Sequence, residues 1–75
     1  MSKIKISGRV VFEDIGPGVW GIIDEAGKKW RPLDMPSSLK KEGTRLTATI
    51  ERAREAGFSV FMWGTTIKLL DYKIL

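Results

Sequence analysis

The sequence predicts an all-β domain in which five strands close into a small barrel. Apolar and polar residues alternate along short runs, which is the period of a strand with one face in the core and the other in water. The runs are separated by turn-forming residues, since the chain of 75 residues contains 8 glycines and 3 prolines. Several short alternating strands with frequent turns are typical of small barrels and sandwiches.

Residues 3–13 are predicted to form the first strand, because apolar residues occupy alternate positions from Ile4 to Phe12 and only Val11 breaks the alternation. Gly8 stands in the middle of the strand on the inward parity, where it predicts the bend that a small barrel needs. A turn follows at residues 16–18, which read Gly-Pro-Gly. The polar residues of this strand share the outward parity: Lys3, Lys5, Ser7, Arg9 and Glu13.

Residues 19–24 and 28–33 are predicted to be the second and third strands, joined by a three-residue loop in which Gly27 is left-handed. This loop pairs Ile22 with Trp30, whereas a loop one residue longer would mix the two faces of the hairpin. The inward face then carries Trp20, Ile22 and Trp30. The outward face carries Val19, Gly21, Ile23, Lys29 and Arg31.

Residues 36–43 are predicted to form one helical turn, with a serine capping its start and Gly43 just past its end. Leu39 in this turn would plug the bottom of the barrel. Residues 44–52 are predicted to be the fourth strand, because apolar residues alternate with polar ones from Leu46 to Ile50. A helix over residues 50–56, ended by Gly57, is the alternative that helix propensity leaves open.

Residues 58–63 are predicted to be the fifth strand, and both of its faces are apolar. Residues 65–74 continue as extended chain, and a change of parity along them predicts either a bulge near Leu69 or a second covered face. A hairpin, a single helical turn between the third and fourth strands, and a long final strand describe an OB-like barrel. An SH3-like barrel is the structural alternative.

The composition excludes several kinds of site. The chain contains no cysteine and no histidine, which removes disulfides, zinc sites built from Cys and His, and nucleophiles paired with histidine. The acidic pairs Glu13-Asp14 and Asp24-Glu25 lie beside turns, where carboxylates are common. We therefore expect a single domain over residues 1–75 that is not an enzyme and has no metal, no cofactor and no catalytic residue.

The apolar runs are also too short for a transmembrane span. The N-terminus alternates charge with isoleucine and lacks the apolar stretch of a signal peptide. We expect a cytoplasmic protein with no membrane partner.

Two binding functions remain. The first is protein interaction or self-association, because the last third of the chain is apolar on two faces. The second is weak, sequence-tolerant binding of single-stranded nucleic acid, which the formal net charge of +4 permits. The candidate binding surface consists of Lys28, Lys29, Arg31, Phe61 and Trp63. The last two are expected to be more exposed than the other aromatic residues because Ser59 shares their face, and a role in the core or in a subunit contact stays open for both.

Several motifs resemble those of a group of small prokaryotic proteins with an OB-like barrel. They are Gly18-Val19-Trp20-Gly21-Ile22, Trp30-Arg31-Pro32 and Met62-Trp63-Gly64. The resemblance covers most of the chain and implies the OB-like fold without assigning a site. The N-terminal half, from Gly8-x-Val10-x-Phe12 to Ile22, also resembles a cold-shock domain. Pro17 and Val19 stand where that family has a lysine and an aromatic residue, which argues against base stacking at this motif.

Overall fold

The computed structural model describes residues 3–16, 18–53 and 63–75. These residues form β1 (Lys3–Glu13), β2 (Val19–Asp24), β3 (Lys29–Pro32), a 3₁₀ turn (Ser37–Leu39), β4 (Arg45–Arg52) and β5 (Thr65–Ile74). The strands join in the order β1-β2-β3-β5-β4 and close into one sheet. β3 and β5 pair in parallel, and the other neighbours are antiparallel. The predicted all-β class is confirmed.

The strand boundaries correct the sequence prediction in four places. β3 spans 29–32 rather than 28–33, and β4 spans 45–52 rather than 44–52. Residues 50–52 belong to β4, so a helix that begins at residue 50 is wrong, and residues 54–56 of that alternative lie outside the described residues. Of the predicted strand 58–63, only Trp63 belongs to the described residues, and it is not in a strand. The last strand, β5, begins at Thr65 instead.

The β2–β3 hairpin has the predicted register. Ile22 pairs with Trp30, and the backbone N–H of Asp24 donates to the carbonyl of Lys28 at 3.0 Å. Gly27 closes the loop with a φ of +84°, a conformation that glycine adopts without the steric cost of a side chain. The three-residue loop is therefore confirmed.

β1 is shared by two neighbours, and Gly8 is where it passes from one to the other. Residues 3–9 pair with β4, and residues 8–13 pair with β2. A Cβ atom on residue 8 would overlap the carbonyl oxygen of Ile23 and lie 2.9 Å from Cα of Asp24. The absence of a side chain at Gly8 thus allows the close approach that bends β1 around the interior.

The interior of the closed sheet holds the main apolar core. Leu39 is fully buried and Trp30 is only 3% exposed, so both predicted interior positions are confirmed. The core contains Ile6, Val10, Ile22, Trp30, Met35, Leu39, Leu46, Ala48, Ile50 and Ile67. Burying apolar side chains of this size contributes about 1.5–3 kcal/mol for each large one, which is the main favourable term for a domain without disulfides.

The turn before β4 is shorter than predicted and is not capped by a serine. It is a single 3₁₀ turn that begins after Pro36, and no side chain caps it. The Ser38 hydroxyl instead forms a hydrogen bond of 3.0 Å with the hydroxyl of Tyr72, which ties the turn to β5. Gly43 follows this turn with a φ of +90°.

The predicted irregularity in the last strand is confirmed. Thr49 pairs with Asp71 and Ile50 pairs with Leu69, so Leu70 is the extra residue of a bulge in β5. The bulge reverses the parity of β5. As a result, Lys68 lies on the outer side before it, and Asp71 and Lys73 lie on the outer side after it.

Candidate nucleic-acid interface

The three predicted cations of the hairpin lie close together, and each contacts a neighbouring side chain. The ammonium of Lys28 lies 4.6 Å from the ring centroid of Trp30. The ammonium of Lys29 lies 5.7 Å from the ring centroid of Trp63, and Nη2 of Arg31 donates to the Thr66 hydroxyl at 2.7 Å. These contacts stabilise the hairpin against the core and against β5.

Trp63 is buried rather than exposed, which corrects the expectation for this residue. Its indole is 9% exposed and packs with Val11, Val19 and Ile23 in a second apolar cluster. These residues have the outward parity, so the cluster lies on the outer side of β2. The physical reason is Gly21, whose missing side chain leaves the space that the indole ring fills. No free ring face remains at Trp63 for stacking.

Phe61 lies outside the described residues. Of the five residues of the predicted surface, the structure therefore places four. It brings Lys29 next to Trp63 and seats Lys28 over the core residue Trp30. Lys28 and Lys29 are exposed and Arg31 is half-buried, but the described part of this surface has no open aromatic face because Trp63 is buried.

Asp24 organises the hairpin that carries these cations. Its carboxylate accepts hydrogen bonds from the backbone N–H groups of Ala26 and Lys28, both at 2.9 Å, and from the indole N–H of Trp30 at 2.8 Å. Burial raises the pKa of Asp24, but these hydrogen bonds together lower it by more, and its pKa lies below the ordinary value of 3.8. The carboxylate therefore acts as a structural acceptor.

A different surface collects the excess positive charge, and we call it the basic face. It is the outer side of the first half of β1, of β4 and of β5. Its side chains form rows of residues that are paired across β1, β4 and β5. One row is Lys3, Glu51 and Lys68, and the next is Lys5, Thr49 and Asp71. The next rows are Ser7 with Thr47 and Lys73, and Arg9 with Arg45. All six cations of this face are exposed.

The basic face accounts for the net charge of the chain. It carries six Lys and Arg residues and two acidic residues, an excess of four. The whole chain has 13 Lys and Arg and 9 Asp and Glu, which is the same excess. The charges of the other residues therefore sum to zero, although they include the local cluster of Lys28, Lys29 and Arg31.

The basic face is concave and rich in hydrogen-bond donors. A concavity of about 580 Å³ lies on this face. It is lined by two of the six cations, Lys5 and Lys73, by the carboxylates of Glu25 and Asp71, and by the hydroxyl-bearing residues Ser7, Thr47, Thr49 and Tyr72. Ammonium, guanidinium and hydroxyl groups are the donors that contact phosphate oxygens. The outward positions of the basic face hold no aromatic residue, although Tyr72, which has the inward parity, also lines the concavity. The outward side chains therefore suit a phosphate backbone rather than bases.

Sequence reasoning identified only part of this face and did not assemble it. The alternation placed Lys3, Lys5 and Arg9 on the outward parity of the first strand. The pairing of β1 with β4 brings Arg45 opposite Arg9, and the bulge at Leu70 turns Lys73 outward. A count of outward charges on each strand was the available signal, but the order of the strands was needed to use it.

Trp20 is also less enclosed than the sequence predicted. It packs against the core from its edge and is only partly buried. The centroid of its ring lies 4.9 Å from the ring centroid of Phe12, and the two ring planes are tilted by 54°. Phe12 has the inward parity but is 37% exposed, because the end of β1 extends past the core. This end of the sheet is therefore aromatic and accessible.

Comparison of the chain with protein-family models, with curated proteins and with solved structures finds no match. The described residues contain no group of three or more acidic residues that could hold a metal ion. The same residues include no helix with the length and apolar character needed to cross a membrane. The geometry of the closed sheet and its two outer surfaces is therefore the basis for a functional proposal.

Proposed function

We propose that this chain is an OB-like, non-catalytic binding module whose basic face binds the sugar–phosphate backbone of single-stranded nucleic acid. The OB-like assignment is supported by the strand order, by the parallel pairing of β3 with β5, and by a first strand shared between two neighbours. The 3₁₀ turn between β3 and β4, with Leu39 in the core, supports it as well.

The concentration of charge is the observation that carries the proposal. Six exposed cations share one side of the sheet, and Arg9 stands directly opposite Arg45. Like charges placed opposite each other on neighbouring strands destabilise a sheet. The negative charge of a bound phosphate chain would offset this repulsion. Binding would also be favoured by the counterions that each neutralised phosphate releases.

The chemistry of the face determines the kind of binding. Contacts to phosphates position a protein on nucleic acid but carry no sequence information. Threonine and serine hydroxyls between the cations add donors of the same kind. We therefore expect weak, sequence-tolerant binding with a strong dependence on salt.

The hairpin cations contribute less to this function. Lys28 and Lys29 each lie over a tryptophan of the same chain. A cation in such a contact gains about 0.5–2 kcal/mol from the ring, and a phosphate would have to compete with it. The pair Lys28 and Lys29 thus provides a matched control for the pair Arg9 and Arg45.

Protein interaction or self-association is the second candidate function. It is favoured by apolar side chains that stay exposed near the end of the chain: Leu70, Ile74 and Leu75. The five described strands pair with neighbours on both sides in the closed sheet, so association would use these side chains rather than an open strand edge. Light scattering at increasing protein concentration tests this candidate, and a strict monomer would rule out self-association.

The nucleic-acid proposal is tested by fluorescence anisotropy with a labelled 12-residue oligothymidylate. Titrations at several salt concentrations between about 20 and 300 mM give the slope of log affinity against log salt. Each lost phosphate contact reduces the steepness of that slope by about 0.7 for a single strand. The double variant Arg9→Ala/Arg45→Ala is expected to reduce it by about 1.4, and Lys28→Ala/Lys29→Ala to leave it nearly unchanged.

Two outcomes contradict the proposal. The first is an affinity no better than millimolar for the unaltered protein at low salt, where phosphate contacts are strongest. The second is an equal loss of slope in the two double variants, because both remove two positive charges. Equal losses would indicate that total charge, and not the basic face, determines binding.

A further inference from the structure

An amphipathic groove lies at the aromatic end of the sheet, apart from the basic face. It has a volume of about 280 Å³, and its apolar wall is formed by Trp20, Pro32, Leu33 and Met35. Leu33 is 52% exposed, and Phe12 lies against Trp20 at the same end. A pair of aromatic rings with one partner open to solvent is a surface on which another flat ring can stack.

The position of this aromatic pair is fixed by the backbone beneath it. Gly18 has a φ of +101°, and a Cβ atom there would lie 2.6 Å from Cζ of Phe12. The phenyl ring therefore rests on the bare backbone of the turn before β2. Because the ring is held in place, a ligand that stacks on this end loses little entropy in ordering the protein.

The charges around the groove select for an anionic ligand. Arg31 and Lys40 line it, and Asp34 is the one carboxylate among its lining residues in the described part of the chain. Lys40 is exposed, whereas Arg31 is oriented by its hydrogen bond to Thr66. The apolar wall and the two cations together fit a ligand that has a flat, apolar ring and a negative charge at its edge. A nucleotide is such a ligand.

We propose that this groove binds an unpaired base of the same strand that occupies the basic face, with the base against Trp20, whose ring is supported by Phe12, and its phosphate near Lys40. This inference rests on the proposed function. It adds a preference that the basic face alone cannot give, because a base can enter the groove only when it is not paired. The module would then prefer single strands to duplexes.

The two surfaces are close enough for one short strand. Lys40 lines the groove and Arg45 begins the basic face, five residues later along the chain. Five residues of extended chain span at most about 18 Å. At a rise of about 3.4 Å for each stacked nucleotide, that distance corresponds to about five nucleotides, so a 12-residue oligonucleotide can reach both surfaces.

The test compares two labelled probes of equal charge, the 12-residue oligothymidylate and an abasic oligomer of the same length. The unaltered protein is expected to bind the thymidylate at least about 5-fold more tightly, because stacking of one base is lost in the abasic probe. Trp20→Leu and Phe12→Leu are expected to abolish this preference and to keep the affinity for the abasic probe. Trp20→Phe, which retains a ring, is expected to keep most of it.

The outcomes separate this inference from the proposed function. If neither probe binds, the proposed function fails. If both probes bind the unaltered protein equally, the proposed function of the basic face holds and the inference that the groove binds a base is overturned. A preference that persists in Phe12→Leu, whose substituted side chain is already partly exposed, would also overturn the inference even if Trp20→Leu does not fold.

Discussion

The indole of Trp63 packs directly against Gly21 on the outer side of β2. The six-membered ring of Trp63 lies where a Cβ atom of residue 21 would stand, and the carbonyl oxygen of Trp30 lies 3.0 Å from that position. The indole thereby covers the outer side of the hairpin with apolar surface from the same chain. This contact is why the outer side of β2 is a small second core and not an aromatic binding platform.

Gly21→Ala is expected to lower the free energy of unfolding by about 1–3 kcal/mol, because an added methyl group overpacks the space under the indole. Urea denaturation followed by circular dichroism measures the change. In a Trp63→Leu background the same substitution should cost less, since the smaller side chain leaves room. Equal costs in the two backgrounds would show that Trp63 does not lie on Gly21.

Gly8→Ala is expected to destabilise the protein more than Gly27→Ala. The atoms that a side chain at position 8 would meet belong to the backbone of β2 and cannot move aside without breaking the pairing of β1 with β2. A side chain at position 27 would meet no atom within 4 Å, and its cost is the left-handed backbone alone, about 1–2 kcal/mol. Thermal unfolding of both variants gives the order, and the reverse order would contradict the bend at Gly8.

Asp24→Asn is expected to flatten the dependence of stability on pH. The folded pKa of Asp24 lies below its ordinary value of 3.8, so the unfolded state binds more protons as the pH falls. The charged carboxylate therefore stabilises the fold above about pH 4, and this contribution is lost as the pH falls through the lowered pKa. Urea midpoints at several pH values should converge for the two proteins in acid, and a constant difference would contradict this account.

Arg45→Glu is expected to stabilise the fold and to weaken binding of oligothymidylate. The substitution replaces repulsion from Arg9, which stands directly opposite, by attraction, and such cross-strand pairs contribute about 0.2–1 kcal/mol. The gain should shrink in concentrated salt, because exposed charges are screened. A loss of stability at low salt would indicate that Arg45 makes a favourable contact on the basic face.

Local patterns in the sequence predicted β1, β2, most of β4 and the β2–β3 hairpin, because the causes of these elements are local. The alternation of apolar and polar residues along β1 determines which side chains face the core. Gly27 determines the conformation of the 25–27 loop. Trp63 could not be placed in this way, because its partner Gly21 lies 42 positions earlier and the empty space there exists only after the hairpin forms. The basic face was missed for the same reason, since Arg9 and Arg45 meet only through the pairing of β1 with β4.

The proposed nucleic-acid interface is the outer side of β1, β4 and β5. Its location can be mapped by titrating ¹⁵N-labelled protein with unlabelled 12-residue oligothymidylate and following the amide resonances by NMR. The largest shifts are expected at Ser7, Arg9, Arg45, Thr47 and Lys73, with a second group at the aromatic groove. Shifts confined to Lys28, Lys29 and the outer side of the hairpin would contradict this location.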